Sequence, residues 1–271
     1  MQATVEGVVL RVSASDAERA WGAIELYEEE NRDWPPTPPK DVPRHAPSPV
    51  MLLAFALVTL FFFNVTGPVA DGSSWFSHGR ADARLLTSEP WRMVTALTLH
   101  ADAQHVLGNA ISGTIFASMV SRRVGPGGAL VSIAVAGAMG NAANAAYNLF
   151  ELGQGHRSIG ASTAVFAAVG ILAAVQTMVD VGRHRNKPRG WRFVDMVAPL
   201  IGGLALLGAL GAGKHSDLGA HGFGFASGLL VGAVMAIGVR RSGAPSAAVQ
   251  LASGAAALAL VVGSWVLAFT V

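Results

Sequence analysis

Gly160-Ala161-Ser162-Thr163-Ala164-Val165-Phe166 is the stretch that decides how this chain is read. A serine follows two small residues and heads an apolar run from Ala161 to Val179. That run is long enough to cross a bilayer, which takes about 20 mostly apolar residues. The first turn of a helix carries unpaired backbone N–H groups and a partial positive charge. A serine oxygen placed there stands beside donors that stabilise an oxyanion. A second stretch completes the idea. Gly219-Ala220-His221-Gly222-Phe223-Gly224 heads another apolar run. A histidine inside a membrane is costly enough to imply a function. Ser162 and His221 therefore read together as a nucleophile and its base.

Composition sets the class. Of 271 residues, 52% are hydrophobic and only 13% charged, against about 25% charged in soluble domains. Mean hydropathy is +0.45. The apolar runs are continuous, without the alternation of a spanning β-barrel. The expected fold class is therefore an all-α polytopic membrane protein. There is no cysteine, so disulfides, thiol nucleophiles and thiolate-held metals are excluded. The 32 glycines suit close helix packing in lipid.

Taken in order, residues 1–48 form a cytosolic N-terminal segment. Ser15–Asn31 reads as a short amphipathic helix, and Trp34–Pro49 as a proline-rich, semi-rigid tether. No signal peptide is read at the start. Spans are expected near Pro49–Thr66, Ala103–Val120, Ala129–Phe150, Ala161–Val179, Phe193–Ala212, Leu218–Val239 and Ala247–Val271. Arg122 and Arg123, the cluster Arg183, Arg185, Lys187, Arg189 and Arg192, and Arg240 with Arg241 all fall on one side if the spans alternate. Positive residues mark the cytoplasmic side. The N-terminus is then cytoplasmic and the C-terminus outside. Ser162 and His221 both lie toward the outer face, so they meet only if helices four and six are neighbours. Gly224, Gly228 and Gly232 recur every fourth residue. Such a small-residue stripe lets two backbones approach, and His221 shares its face.

Other polar groups follow the same logic. His105 and Asn109 are four apart on span two, so they share a face. In lipid they need partners, as a structural network or as oxyanion donors. Phe166 lies one turn below Ser162, as core filler or as the ring on which an imidazole rests. His100 reads as a residue that staples its loop. Asn141 and Asn144 could hold water or bond neighbouring helices. His100 and His105 lack the spacing of helical metal ligands, and there is no HExxH. Asp180, Asp195 and Asp217 sit at span edges, which is poor placement for an aspartyl pair. Serine chemistry remains, with no acidic third member evident. Packing must then orient the base.

These residues, in their order, resemble one family. Trp91-Arg92, His100, His105-Val-Leu-Gly-Asn109, Gly160-Ala-Ser162 and Ala220-His221 with Gly224 and Gly228 are similar to the motifs of rhomboid intramembrane serine proteases. The resemblance runs from Trp91 to Gly232, about half the chain. It implies Ser162 as nucleophile and His221 as general base. It implies an oxyanion hole from His105, Asn109 and the Ser162 N–H. Gly160 takes the place of the motif's first glycine, and Trp91-Arg92 that of the first-loop motif. It also implies a six-helix core over 49–239, with 240–271 as an additional C-terminal helix. Three departures stand out: Thr163 where a glycine is usual, Ser121 where many relatives carry glutamate, and Phe166 where tyrosine is common. The added bulk of Thr163 is expected to narrow substrate choice.

The function so implied is cleavage of transmembrane-helix protein substrates near the outer face. The partners are those helices and the lipid bilayer, with no nucleic acid, cofactor or metal. The composition points to a bacterial inner membrane. A non-proteolytic rhomboid-like protein that binds transmembrane clients is the alternative, although inactive relatives generally lack the serine or the histidine. A transporter would need intramembrane charge or a helix broken at mid-membrane, and neither is evident.

Overall fold

The computed structural model of the chain describes residues 2–4, 7–9, 11–32, 45–46, 48–180, 189–211 and 217–271. Most of the proline-rich tether lies outside that set, as do Arg183, Arg185, Lys187, Gly213 and Lys214. The chain divides into two compact units, Met1–Asp41 and Val42–Val271. In the first, β1 (Gln2–Thr4) pairs antiparallel with β2 (Gly7–Val9). The amphipathic stretch forms α1 (Ala17–Glu30), none of whose residues is buried.

The second unit holds α2 (Pro49–Thr66), α3 (Ser74–Gly79), β3 (Ala81–Asp82), α4 (Arg92–Thr95), α5 (Ala103–Val124) and α6 (Pro126–Ala146). A π-helical turn (Tyr147–Glu151), β4 (Arg157–Ser158), α7 (Ser162–Asp180), α8 (Arg189–Gly211), α9 (Leu218–Ser242) and α10 (Ala247–Thr270) complete it. Local chemistry sets the boundaries. Proline stands in the first turn of α2 and of α6, where its missing N–H costs nothing. Asp102 accepts the His105 N–H at 2.8 Å and Asp217 the Ala220 N–H at 2.9 Å, which caps α5 and α9. Helix α5 runs past the expected end at Val120 because Arg122 and Arg123 suit its last turn. Gly125, at φ +84°, then breaks the chain before α6.

Helix α7 is the centre of the bundle, packed by α5, α6, α8 and α9. Its Ala167, Ala168, Ile171 and Val175 are almost fully buried. Helix α10 is not a peripheral addition. The Gln250 side chain bonds the Val124 carbonyl at 2.9 Å and the Gly128 N–H at 3.0 Å. Trp265 fills the space over Gly79 and donates to Thr98 Oγ1 at 3.1 Å.

Leu53–Asp71, Pro126–Glu151, Leu218–Arg241 and Ala247–Thr270 are long and apolar enough to cross a membrane by length and composition. The architecture is that of an all-α polytopic membrane protein. The other expected spans coincide with α5, α7 and α8, of which α5 falls short of that measure. Helix α5 carries His105, Asn109 and two arginines. Neighbouring helices, not composition, keep the polar face of α5 out of lipid.

Candidate active site

Ser162 is the first residue of α7, and the loop before it is pinned by backbone bonds. The Gly160 N–H donates to the Ala96 carbonyl at 2.9 Å, and the Ala161 N–H donates to His100 Nε2 at 3.3 Å. The Ala161 carbonyl accepts the Val165 N–H at 2.9 Å and so begins the helix. Gly160 has φ +123°, which side chains rarely adopt. A Cβ there would also stand 2.8 Å from His105 Nε2 and 3.5 Å from Ser162 Oγ. Glycine therefore keeps open a gap that His105 and Ser162 both border.

His221 comes from the first turn of α9. Its N–H donates to the Asp217 carbonyl at 3.0 Å, and its Nε2 lies 2.9 Å from Ser162 Oγ. Phe166 stacks on the imidazole with centroids 4.6 Å apart and planes 33° apart. Both rings are buried. The glycine stripe explains how α7 and α9 come so close. A Cβ at Gly224 would overlap the Thr163 carbonyl, and one at Gly228 the Ala167 carbonyl. One at Gly232 would stand 2.7 Å from Ile171 Cα. Every fourth residue of one helix meets every fourth residue of the other, backbone to backbone.

The oxyanion candidates lie on α5. His105 Nδ1 accepts the Ala101 N–H at 3.3 Å, so a neutral ring carries its proton on Nε2 and donates into the Gly160 gap. Asn109 is buried, and its Nδ2 has no hydrogen-bond partner among the described residues. An unpaired buried donor is costly, which suits a group meant for a transient acceptor. His100 is fully buried, with its ring 5.1 Å from that of His105. Burial, with His105 adding to it, pushes its pKa down to about 3. The ring is therefore neutral and free to accept the Ala161 N–H. The imidazole of His100 staples the nucleophile loop.

A serine hydroxyl bonded to a shielded imidazole, with unused donors beside it, can attack a carbonyl and hold the resulting charge. Residues 87–238 match the family model described as "Rhomboid domain". The chain belongs to the rhomboid family. It is similar to a protein of Bacillus subtilis (strain 168) named "Putative rhomboid protease YdcA", with 29% identity over 143 residues, 53% of this chain and 66% of that protein.

In this rhomboid chain, Trp91 and Arg92 do other work. Arg92 Nε meets Glu89 Oε2 at 2.6 Å, and Nη1 donates to the carbonyls of Ser77 at 2.8 Å and Arg80 at 3.3 Å. It clamps the loop between α2 and α5. Trp91 packs on the cluster of Phe76, Leu99 and Trp265, which Ile159 also touches. The pair thus reaches Ser162 only through the loop that precedes it. Thr163 likewise turns away from the gap. Its methyl lies against Gly140 and Gly224, and the residue is 2% exposed. Helix packing absorbs the bulk that was expected to narrow substrate choice. Asn141 Nδ2 donates to the Met93 carbonyl at 2.8 Å, a bond between helices. Among the described residues no group of three or more side chains is arranged to hold a metal.

Sequence reasoning missed the part played by Asp217 and gave none to His156. Asp217 was placed with the edge carboxylates. An aspartate just before an apolar run is also an N-cap signal, and that signal was available.

Proposed function

We propose that this rhomboid chain is an intramembrane serine endopeptidase that cuts transmembrane segments of other proteins. The observation that carries this reading is the 2.9 Å approach of His221 Nε2 to Ser162 Oγ in a helix-packed site where the imidazole is buried and the serine half-buried. Ser162 Oγ attacks the scissile carbonyl carbon while His221 Nε2 takes its proton. The oxyanion receives the Ser162 N–H, the His105 Nε2–H and the Asn109 amide. His221 then protonates the leaving amine, and an acyl-enzyme remains. Water, activated by the same imidazole, releases the acyl group and restores the serine. Phe166 supports the ring by stacking against its face.

A peptide bond inside a regular helix is shielded by its own hydrogen bonds. Suitable substrates therefore carry Gly, Pro or Ser near the cut, which weaken the helix. Entry must be sideways from lipid, and α8 is the gate by family resemblance. Among the described residues its Gly202 and Gly208 face open space, while Gly203 lies against Phe225. Positive loops favour a site near the outer face.

The test is labelling by a fluorophosphonate, together with cleavage of a reconstituted transmembrane substrate. Wild type is expected to label and cleave. Ser162→Ala should abolish both. His221→Ala should lower turnover by as much as ~10⁶-fold, as loss of either member does in soluble serine proteases. Undiminished labelling in Ser162→Ala would sink the assignment.

A further inference from the structure

Asp217 acts on the helix that carries His221. Its Oδ1 accepts the Ala220 N–H at 2.9 Å, and its carbonyl accepts the His221 N–H at 3.0 Å. One residue therefore defines the first turn of α9. Its other oxygen, Oδ2, meets His156 Nε2 at 2.7 Å and Asn144 Nδ2 at 3.2 Å. His156 lies in the segment that leads to Ser162. Its carbonyl accepts the Ala83 N–H at 2.9 Å, which ties that segment to β3. Asn144 is buried near the end of α6, and its Oδ1 would lie 2.6 Å from a Cβ at Gly219. Asn148 Nδ2 donates to the Asn144 carbonyl at 2.8 Å.

Three pieces of chain thus converge on one carboxylate: the end of α6, the approach to the nucleophile and the head of the base helix. Burial alone would raise the Asp217 carboxyl, but the Ala220 N–H, His156 and the Ser158 side chain outweigh it and hold it below the usual carboxylate range. It is ionised at neutral pH and attracts the His156 N–H strongly.

We propose that Asp217 and His156, with Asn144, are positioning residues that fix His221 against Ser162 by locking the head of α9 to the loop before α7. The inference rests on the protease reading. In a triad a carboxylate orients the imidazole directly; here the Asp217 carboxylate orients the helix that carries it. The consequence is kinetic, because a misplacement of about 1 Å at reacting groups can cost ~10²-fold in rate.

The experiment uses the full chain in lipid. It measures the rate of Ser162 labelling by a fluorophosphonate per folded molecule, and kcat and KM for a transmembrane substrate. His156→Ala leaves the helix cap and both reacting side chains in place. It should slow labelling and lower kcat by ~10-fold or more while KM changes little, the pattern of lost transition-state geometry. His156→Gln keeps a donor to Asp217 and should recover most of the rate. Asp217→Asn keeps the cap but weakens the tie, and should fall between wild type and Asp217→Ala. Labelling at the wild-type rate in both His156→Ala and Asp217→Asn overturns the inference. So does a loss that only follows the folded fraction, or a failure of the glutamine to rescue. A wild type that does not label at all overturns the protease reading instead, and the two failures are therefore distinct.

Discussion

The two sides of α7 are built in opposite ways. On one side it meets α9 backbone to backbone, with Gly224, Gly228 and Gly232 set against Thr163, Ala167 and Ile171. On the other side, Ala161 and Ala164 floor an apolar cavity of about 490 Å³ between α2 and α10. The polar side chains in its lining, Thr59 and Thr98, spend their hydroxyl protons on the carbonyls of Phe55 at 2.7 Å and Thr95 at 2.8 Å. Glycine against backbone has no rotamers to rearrange, so that interface holds one geometry. A cavity wall forfeits dispersion contacts and leaves room to move. Ser162 and His221, which need sub-ångström placement, straddle the close-packed side.

Several substitutions would break or sharpen that contrast. After loss of the Ser162–His221 pair itself, the largest effect is expected on the α5 face. Asn109→Ala should cut turnover by ~10²–10³-fold, about 3–4 kcal/mol of transition-state stabilisation. Its amide nitrogen has no partner to lose among the described residues, so melting temperature should hold or rise. His105→Ala should cost turnover similarly but also stability, because the Ala101 N–H loses its acceptor. Unchanged turnover in both single variants and the double variant would assign the pair to structure.

Next comes the interface. Gly228→Ala drives a methyl into the Ala167 carbonyl and should destabilise by about 1–3 kcal/mol, the usual cost of overpacking. Activity should fall further than stability, since α9 carries the base. Gly202→Ala on α8 meets nothing within 4 Å among the described residues and should stay within about 0.5 kcal/mol of wild type. Thermal unfolding in lipid beside turnover checks both, and equal losses at the two glycines would erase the distinction drawn between the helices.

A smaller effect is expected at Leu206, a partly buried side chain packed against the cluster of Phe166, Val169 and Phe225. If α8 is the gate, Leu206→Ala should leave cleavage of a transmembrane substrate intact or raise it. A marked fall in cleavage, with labelling of Ser162 unchanged, would place the gate elsewhere.

The smallest effect concerns pH. Burial pushes the Asp82 carboxyl up, but the Arg157 guanidinium at 2.9 Å, the Arg84 N–H and Arg80 more than reverse it. A lowered folded pKa contributes stability above the ordinary carboxylate value of about 4 and loses it as pH falls through the lowered value. Asp217 acts in the same direction. The melting-temperature gap between wild type and Asp82→Asn should therefore be widest near neutrality and close on acidification. A gap that widens toward low pH would contradict the ion pair Asp82–Arg157.

By itself the sequence determined the class, placed the long helices, and singled out Ser162 and His221. Low charge and continuous apolar runs admit helices in lipid and little else. The period of Gly224, Gly228 and Gly232 told which face of α9 seeks a partner, because small residues at every fourth position serve close approach. His105 and Asn109 were legible for the same reason, being four apart. What needed the tertiary structure was everything that depends on which segments meet. Nothing near Asp217 in sequence reveals that His156 and Asn144 reach the same oxygen, since they lie 61 and 73 residues away. Thr163 reads as bulk beside a nucleophile until Gly140 and Gly224 are seen to receive its methyl. The sequence places α10 as an additional helix but does not show that its Trp265 bonds Thr98. Periodicity is a local property, so one strand of sequence carries it. A hydrogen bond between distant segments exists only once packing has brought its donor and acceptor together.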